Sequence, residues 1–280
     1  MTDDLKQRLR QLADKYENAA FCEQDPSQFL RWYQPEKGKG TLADVEAASF
    51  IAAMLAFGNR KQFIPKIEQI LETSDRSLGC VSEWLRCGAY KKDFPCGQSK
   101  FYRFYSYDDM QIFFGELADI LNSADSLGDF FHEQYCKGGV TGATPVREGS
   151  DQRSGRAGRD FSLLAEIIAR AFPKSAIVPK GKSSANKRVH MFLRWMVRRD
   201  SQVDLGLWKW ANPAELIIPL DVHVMQEAAG MGLISETASA SRKTAELLTS
   251  ALNEVFPGDP CRGDFALFGL GVDESKETGH

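Results

Sequence analysis

Apolar residues recur at helical spacing along most of the chain. Residues 45–57, VEAASFIAAMLAF, are apolar nearly all round, which predicts a central buried helix. Stripes of apolar residues three and four positions apart predict further amphipathic helices, at residues 63–71, 113–121, 163–172, 189–196 and 247–252. Runs that alternate apolar and polar residues are missing from the sequence. The pattern therefore predicts an all-α fold.

Two segments interrupt the helical pattern. Residues 137–160 contain six glycines and no apolar periodicity, so we expect a mobile loop there. Residues 33–41, YQPEKGKGT, predict a shorter linker. Both segments are therefore expected to connect helical regions.

Composition and charge narrow the class of protein. Of the 280 residues, 43% are hydrophobic and 26% are charged, as in ordinary globular proteins. The sequence contains no recognisable signal peptide and no apolar run of membrane-spanning length, so we expect a cytoplasmic protein. The net charge of −3 argues mildly against a nucleic-acid partner. Residues 180–199, however, carry seven Lys or Arg and no acid, which indicates either a nucleic-acid contact or the solvated face of a helix.

The cysteines give no indication of a metal site. All six are scattered along the chain and none forms a CxxC pair. This pattern is typical of reduced thiols in a cytoplasmic protein and argues against zinc or iron–sulfur binding. We therefore expect no metal and no cofactor.

Asp221 is the most unusual position in the sequence. It lies in PAELIIPLDVHVMQ, residues 213–226, where an ionised side chain is costly unless something pairs with it. Pro219 prevents a helix from running through this residue and an apolar helical stripe follows it, so Asp221 is expected to cap the helix that begins there. A carboxylate held at a buried helix start can also stabilise a developing cation or orient an amine.

Lys187 is the candidate amine. It begins the helix NKRVHMFLRWMV, inside the basic run. Neighbouring cations and partial burial favour a nucleophilic lysine at this place. The alternative is an ordinary surface lysine.

The succession of a short turn, a lysine, an apolar helix and then Pro-Leu-Asp-Val-His resembles the HhH-GPD superfamily of DNA base-excision glycosylases. PLDVHVMQEA is similar to the Pro-Val-Asp-Val-His segment of the 8-oxoguanine glycosylase/AP lyases, and NKRVHMFLR resembles the lysine helix of archaeal and bacterial members. The superfamily motif spans residues 183–226. With FCEQDP, AFGNRK and FALFGLG, nearly the whole chain resembles a bacterial family placed in this superfamily.

The resemblance implies an architecture and an activity. It implies two helical lobes with a helix-hairpin-helix motif and an active-site cleft between them, one lobe formed by residues 42–218 and the other by 1–41 with 219–280. The implied partner is double-stranded DNA carrying a damaged base, such as 8-oxoguanine, or an abasic site. In this family the lysine matching Lys187 forms a Schiff base with the sugar, and the acid matching Asp221 stabilises the cationic sugar. A monomeric, nucleoid-associated enzyme is implied.

The resemblance assigns further roles to single residues. Asn59 and Arg60, at the end of the buried helix, match the residues that in the family fill the gap left by the flipped base. Residues of the base pocket match Met191, Asp264 and Phe268, where Asp264 reads the Watson–Crick edge and the other two stack on the base. Residues of the DNA-binding surface match Lys180, Lys182, Ser183, Ala185, Arg188 and His223.

The sequence departs from the family pattern at the hairpin. Ser183 and Ala185 stand where two glycines usually let backbone N–H groups approach a phosphate. The 34 positions from Lys187 to Asp221 also exceed the usual spacing. Two alternatives to an enzyme therefore stay open, namely a noncatalytic nucleic-acid-binding protein that keeps the fold and a helical scaffold protein.

Overall fold

The computed structural model describes residues 1–141 and 163–277. Within them, twelve α-helices account for most of the chain, which confirms the all-α prediction. The helices are α1 (Asp3–Tyr16), α2 (Leu42–Leu55), α3 (Arg60–Leu78), α4 (Val81–Arg86), α5 (Tyr90–Asp93), α6 (Tyr107–Ser123), α7 (Leu127–Thr141), α8 (Leu163–Ala171), α9 (Lys187–Val197), α10 (Val222–Gly230), α11 (Arg242–Asn253) and α12 (Arg262–Glu277).

Helix α2 confirms the prediction of a central buried helix. Every residue of α2 after Leu42 is buried. A capping box starts the helix, because the Thr41 side chain accepts from the backbone of Asp44 and the Asp44 side chain accepts from the backbone of Thr41. The helix ends at Leu55, earlier than residue 57, and Asn59 begins α3 instead of ending α2.

The predicted connections differ in detail from those observed. The linker over 33–41 contains a short 3-10 helix, Pro35–Lys37, and a bridge between Gln34 and Lys39. The predicted loop over 137–160 starts too early, because α7 continues to Thr141, and residues 142–160 lie outside the described residues. A short antiparallel pair, Lys100–Tyr102 with Tyr105–Ser106, was not predicted, because two or three residues cannot show an alternating pattern.

The buried apolar residues form two clusters. The first surrounds α2 and includes residues of α3, α4, α6 and α9. The second joins α1 to α10, α11 and α12. Phe29 and Tyr33, which we assigned to the same lobe as α1, belong to the first cluster, because the 3-10 helix Pro26–Arg31 packs against α2.

A buried network of charges links α9 to α12 and to the end of α1. Arg198 bonds Glu17 and Asp259 at 2.8 and 2.7 Å, and it shares Asp204 with Arg194. Arg194 also pairs with Asp264 on α12. Because buried guanidinium groups need carboxylate partners, this network fixes how these elements pack.

Among the described residues, no helix is both long enough and apolar enough to cross a membrane.

Candidate active site

Lys187 and Asp221 form an ion pair although 34 positions separate them in the chain. The Lys187 Nζ atom lies 2.7 Å from Asp221 Oδ2. The Lys187 side chain is 34% exposed and that of Asp221 is 14% exposed, so the pair can be reached from solvent. The structure therefore brings together the two residues on which the sequence prediction depends.

Local structure positions each member of the pair. Asn186 adopts a left-handed conformation, with φ of 44°, directly before α9, so that Lys187 occupies the first turn of the helix. Asp221 is the N-cap of α10, as predicted, and its Oδ1 accepts from Val224 N at 2.9 Å. The two oxygens of one carboxylate thus have separate partners, a helix end and an amine.

The pair faces a pocket of about 380 Å³. Seven of the residues predicted for the site line it, namely Arg60, Lys187, Met191, Asp221, His223, Asp264 and Phe268. These seven residues belong to the start of α3, to α9, to the start of α10 and to α12. The proposed base-pocket residues and the candidate amine therefore share one cavity.

Phe268 is one of four phenylalanines that line this pocket. The Lys187 Nζ atom lies 5.7 Å from the centre of its ring, and the guanidinium of Arg60 lies 5.2 Å from it. The His223 ring approaches its edge at 6.4 Å. Cations near an aromatic face are attracted by the ring quadrupole, so Lys187 and Arg60 interact favourably with Phe268 while Asp221 and Asp25 balance their charges.

Arg60 and Asn59 differ from the gap-filling role expected of them. Arg60 pairs with Asp25 at 3.8 Å and contacts Phe268, so it lies inside the pocket. Asn59 accepts from Lys61 N at 2.9 Å and caps α3. In this structure both side chains have partners within the protein.

Asp264 is buried at the pocket instead of presenting a free carboxylate. One of its oxygens accepts from Arg194. Burial raises the pKa of Asp264 to about 6, against the opposing effect of Arg194. Asp264 therefore lines the pocket together with its partner Arg194.

The side chains of three residues that were predicted to bind DNA already contact other parts of the protein. The Lys180 ammonium donates to Phe172 O at 2.7 Å and to the carbonyl oxygens of Pro173 and Ser175, so it closes the C-terminal end of α8. Arg188 donates to Met54 O and to the Tyr105 hydroxyl. The Ala185 side chain is buried in the second apolar cluster. Direct phosphate contacts from these three side chains are not supported.

Lys182 and Ser183 stay exposed in the turn before α9. The Ser183 carbonyl accepts from Arg242 N at 2.9 Å, and Ser184 forms a bridge with Ser241. The backbone of this turn is thus held by the start of α11. The two side chains are exposed and can contact a partner.

Sequence reasoning missed two features next to the pocket. Arg194 lines the pocket seven positions after Lys187, a helical spacing that could have identified it. Phe104 is 59% exposed and lies against Phe57, which lines the same pocket. It follows Arg103, whose φ of 50° makes the tight turn. A lone Phe in a turn gave no signal in the sequence.

In the two stretches that the structure describes, no three His, Cys, Asp or Glu side chains are grouped so that they could hold a metal ion.

Comparison with known proteins identifies the family of this chain. It belongs to the family described as "Protein of unknown function (DUF2400)", which it matches over residues 25–273. No curated protein and no solved structure matches it.

Proposed function

We propose that this member of the DUF2400 family is a DNA base-excision glycosylase with AP lyase activity. The observation that carries the proposal is the 2.7 Å contact between Lys187 Nζ and Asp221 Oδ2 at a solvent-accessible pocket. An amine beside a carboxylate, next to an aromatic face, matches the requirements of chemistry at a sugar carbon that becomes cationic. The resemblance of residues 183–226 to the HhH-GPD superfamily supports the same assignment.

The reaction begins with a damaged nucleotide turned out of the duplex into the pocket. The neutral amine of Lys187 attacks C1′ of the sugar, and the glycosidic bond breaks with its electron pair leaving on the base, which takes up a proton. The amine nitrogen then loses a proton and the sugar ring opens. The C1′–O4′ bond breaks, O4′ keeps its electron pair and takes up a proton, and C1′ and the nitrogen form a protonated imine. Removal of a proton from C2′ then expels the 3′ phosphate oxygen and nicks the strand.

Asp221 contributes to this sequence in two ways. Its Oδ2 is close enough to Lys187 to accept the ammonium proton, which frees the nucleophile. Its negative charge stabilises the cationic character of the sugar as the glycosidic bond lengthens. The helix cap made by Oδ1 holds the carboxylate in place for both roles.

The remaining residues of the pocket suit a planar ligand. Phe268 offers an aromatic face, and Met191 offers a polarisable thioether in the same cavity. Stacking between such groups would compensate for the base stacking lost on extrusion. Outside the pocket, the exposed Lys182, Ser183 and Phe104 would contact the DNA backbone and unstacked bases.

In this proposal α8, the turn over 180–186 and α9 form a degenerate helix-hairpin-helix motif. The two apolar clusters correspond to the two lobes, and the pocket corresponds to the cleft between them. Without the usual glycines, the hairpin turn presents Lys182 and Ser183 to the phosphate backbone. We expect double-stranded DNA as the partner.

Borohydride trapping tests the proposal. The reductant converts an imine between protein and DNA into a stable bond, so a lysine nucleophile leaves a covalent adduct. We expect the wild-type protein to give an adduct with a duplex that contains an abasic site. Lys187→Ala should give none. Lys187→Arg should also give none, because it keeps the positive charge without an amine that can form the imine.

Lys243→Ala is the matched control for the loss of a lysine at a helix start. Lys243 is exposed in the first turn of α11 and lies outside the pocket, so its adduct yield should equal that of the wild type. No adduct from the wild type on abasic or damaged duplexes would contradict the proposal. Salt-dependent DNA binding would then indicate a noncatalytic nucleic-acid-binding protein, and no DNA binding at all would indicate a scaffold.

A further inference from the structure

One face of α9 carries three chemically active side chains at increasing depth. Lys187, Met191 and Arg194 are spaced four and three positions apart, so they lie on the same side of the helix. All three line the pocket that contains Asp221. The exposed fraction falls from 34% for the side chain of Lys187 to 4% for that of Arg194. Arg194 is therefore the cation at the deep end of the cavity.

Two hydrogen bonds hold the guanidinium of Arg194 in place, but one of its three nitrogen atoms has no partner among the described residues. Its Nε donates to Asp204 Oδ1 at 3.2 Å, and its Nη1 donates to Asp264 Oδ2. The central carbon atom of the group, Cζ, lies 4.4 Å from the ring centre of Phe265. Among the residues that the structure describes, none accepts from Nη2. Arg194 lines the pocket, and Nη2 is not one of the fully buried unpaired polar atoms of the described residues, so it can donate to an acceptor on a ligand.

Asp264 offers the complementary group beside it. One carboxylate oxygen bonds Arg194, whereas the other has no hydrogen-bond donor in the part of the chain that the structure describes. Desolvation raises the pKa of Asp264 to about 6, so the carboxyl is largely ionised at neutral pH and accepts hydrogen bonds. The deep end of the pocket thus combines a free donor and a free acceptor on adjacent side chains.

We infer that Arg194 is the residue that determines base specificity, and that the base it selects carries a carbonyl oxygen next to an N–H on the edge that enters the pocket. Guanine-type bases have this edge at O6 and N1. Nη2 of Arg194 donates to the carbonyl oxygen, and the free oxygen of Asp264 accepts from the neighbouring N–H. The inference rests on the proposed function and names the substrate class of the same site.

The geometry disfavours bases of the adenine type. Their six-position is an amino group, which would place a donor against the Arg194 guanidinium and leave Nη2 unsatisfied. A site built around buried polar groups rejects a ligand that leaves them unpaired far more strongly than an apolar pocket does. Arg194 is suited to this discrimination because Asp204 and Asp264 prevent it from turning to another partner.

The test measures the rate of borohydride-trapped adduct formation on three duplexes. They contain 8-oxoguanine, 8-oxoadenine or an abasic site. The first two share the damaged edge but differ on the opposite edge, where guanine has O6, N1–H and a 2-amino group, and adenine has a 6-amino group, an unprotonated N1 and C2–H. We expect the wild type to react at least about tenfold faster with 8-oxoguanine than with 8-oxoadenine. This comparison needs no substitution, so it decides the inference even if a variant fails to fold.

Arg198 supplies a matched control because it belongs to the same buried network but does not line the pocket. The ratio of the rate on 8-oxoguanine to the rate on the abasic duplex separates base reading from imine chemistry. This ratio should fall at least about tenfold in Arg194→Lys, whose ammonium cannot reproduce the planar fork. In Arg198→Lys it should stay within about twofold of the wild type, since no contact to the base is changed.

The outcomes distinguish the inference from the proposed function. Equal ratios in the two variants, or a wild type that reacts equally fast with both damaged bases, would overturn the inference and leave the proposed function intact. Adducts with the abasic duplex alone would also overturn it, because no base is then read. No adduct with any of the three duplexes would contradict the proposed function itself, and the inference with it.

Discussion

Asp221 carries a structural and a chemical role on a single side chain. Oδ1 caps α10 through Val224 N, and Oδ2 holds the ammonium of Lys187. The cap requires only an acceptor oxygen, whereas the interaction with a cation requires a negative charge. Substitutions can therefore remove the two roles separately.

The substitution Asp221→Asn should leave the fold intact and remove most of the activity. Asn caps a helix about as well as Asp, so the free energy of unfolding should change by less than about 1 kcal/mol. The rate of adduct formation on abasic DNA should fall about 100-fold or more, because the charge that stabilises the cationic sugar is lost. Chemical denaturation and trapping kinetics measure the two effects.

Asp221→Ala is the companion variant. It loses the cap as well, which should lower the free energy of unfolding by about 1 kcal/mol more. An Asn variant with wild-type kinetics would mean that the carboxylate only caps the helix.

At the scale of single residues, the sequence identified those whose contacts lie close by in the chain. Asp221 could be predicted because a cap depends on the three residues that follow it. The role of Arg194 could not, because its partners Asp204 and Asp264 lie 10 and 70 positions away. The contacts of Lys180 were not predicted either, although they are local: its ammonium donates to the carbonyl oxygens of Phe172 and Ser175, just after α8.

At the scale of elements, helices were predicted well because their apolar periodicity is visible within each segment. Helix α2 is buried all round, as its composition indicates. The contacts that fix one element against another could not be predicted from the sequence. At the start of α7, the Gly128 N–H donates to Glu46 Oε2 at 2.8 Å, and Glu46 Oε1 accepts from the Trp208 indole at 2.8 Å. These three residues come from distant parts of the chain.

Gly128→Ala should destabilise the protein although alanine favours helices. A Cβ at this position would lie 2.6 Å from Trp208 Nε1 and 2.7 Å from Glu46 Oε1, both buried, so the hydrogen bond between them would have to yield. We expect the free energy of unfolding to fall by about 2 kcal/mol, because the overlap outweighs the helix propensity gained. Thermal and urea unfolding provide the measurement.

Gly230→Ala is the control for this prediction. Gly230 ends α10, and a Cβ there would meet no atom within 4 Å. Its free energy of unfolding should rise by up to about 1 kcal/mol. If Gly128→Ala were as stable as the wild type or more stable, the close packing described at Gly128 would be contradicted.

At the scale of the whole molecule, buried charge connects the two apolar clusters. Arg194 and Arg198 extend from α9 toward Asp264 on α12 and Glu17 after α1, and both share Asp204. In the sequence, residues 180–199 indicated only a basic surface. Two of those cations are instead buried, because four acids from three parts of the chain neutralise them, namely Glu17, Asp204, Asp259 and Asp264. The net charge of −3 gives no hint of this arrangement.

Asp204→Asn should therefore be among the most destabilising single substitutions in the protein. Asp204 is fully buried and pairs with two guanidinium groups, at 3.2 and 2.6 Å. Removing its charge leaves both without their shared partner, and we expect a loss of about 3 kcal/mol or more. Asp14→Asn is the control. Asp14 pairs with Arg262 at 2.6 Å but is 66% exposed, so its loss should be below about 1 kcal/mol.

Peptide mapping of the trapped adduct tests the central claim most directly. After borohydride reduction on abasic DNA and digestion of the protein and the DNA, mass spectrometry identifies the lysine that carries the sugar remnant. We expect the remnant on Lys187, whose Nζ lies beside Asp221. A remnant on any other lysine, or no remnant at all, would contradict the assignment of this pair as the catalytic centre.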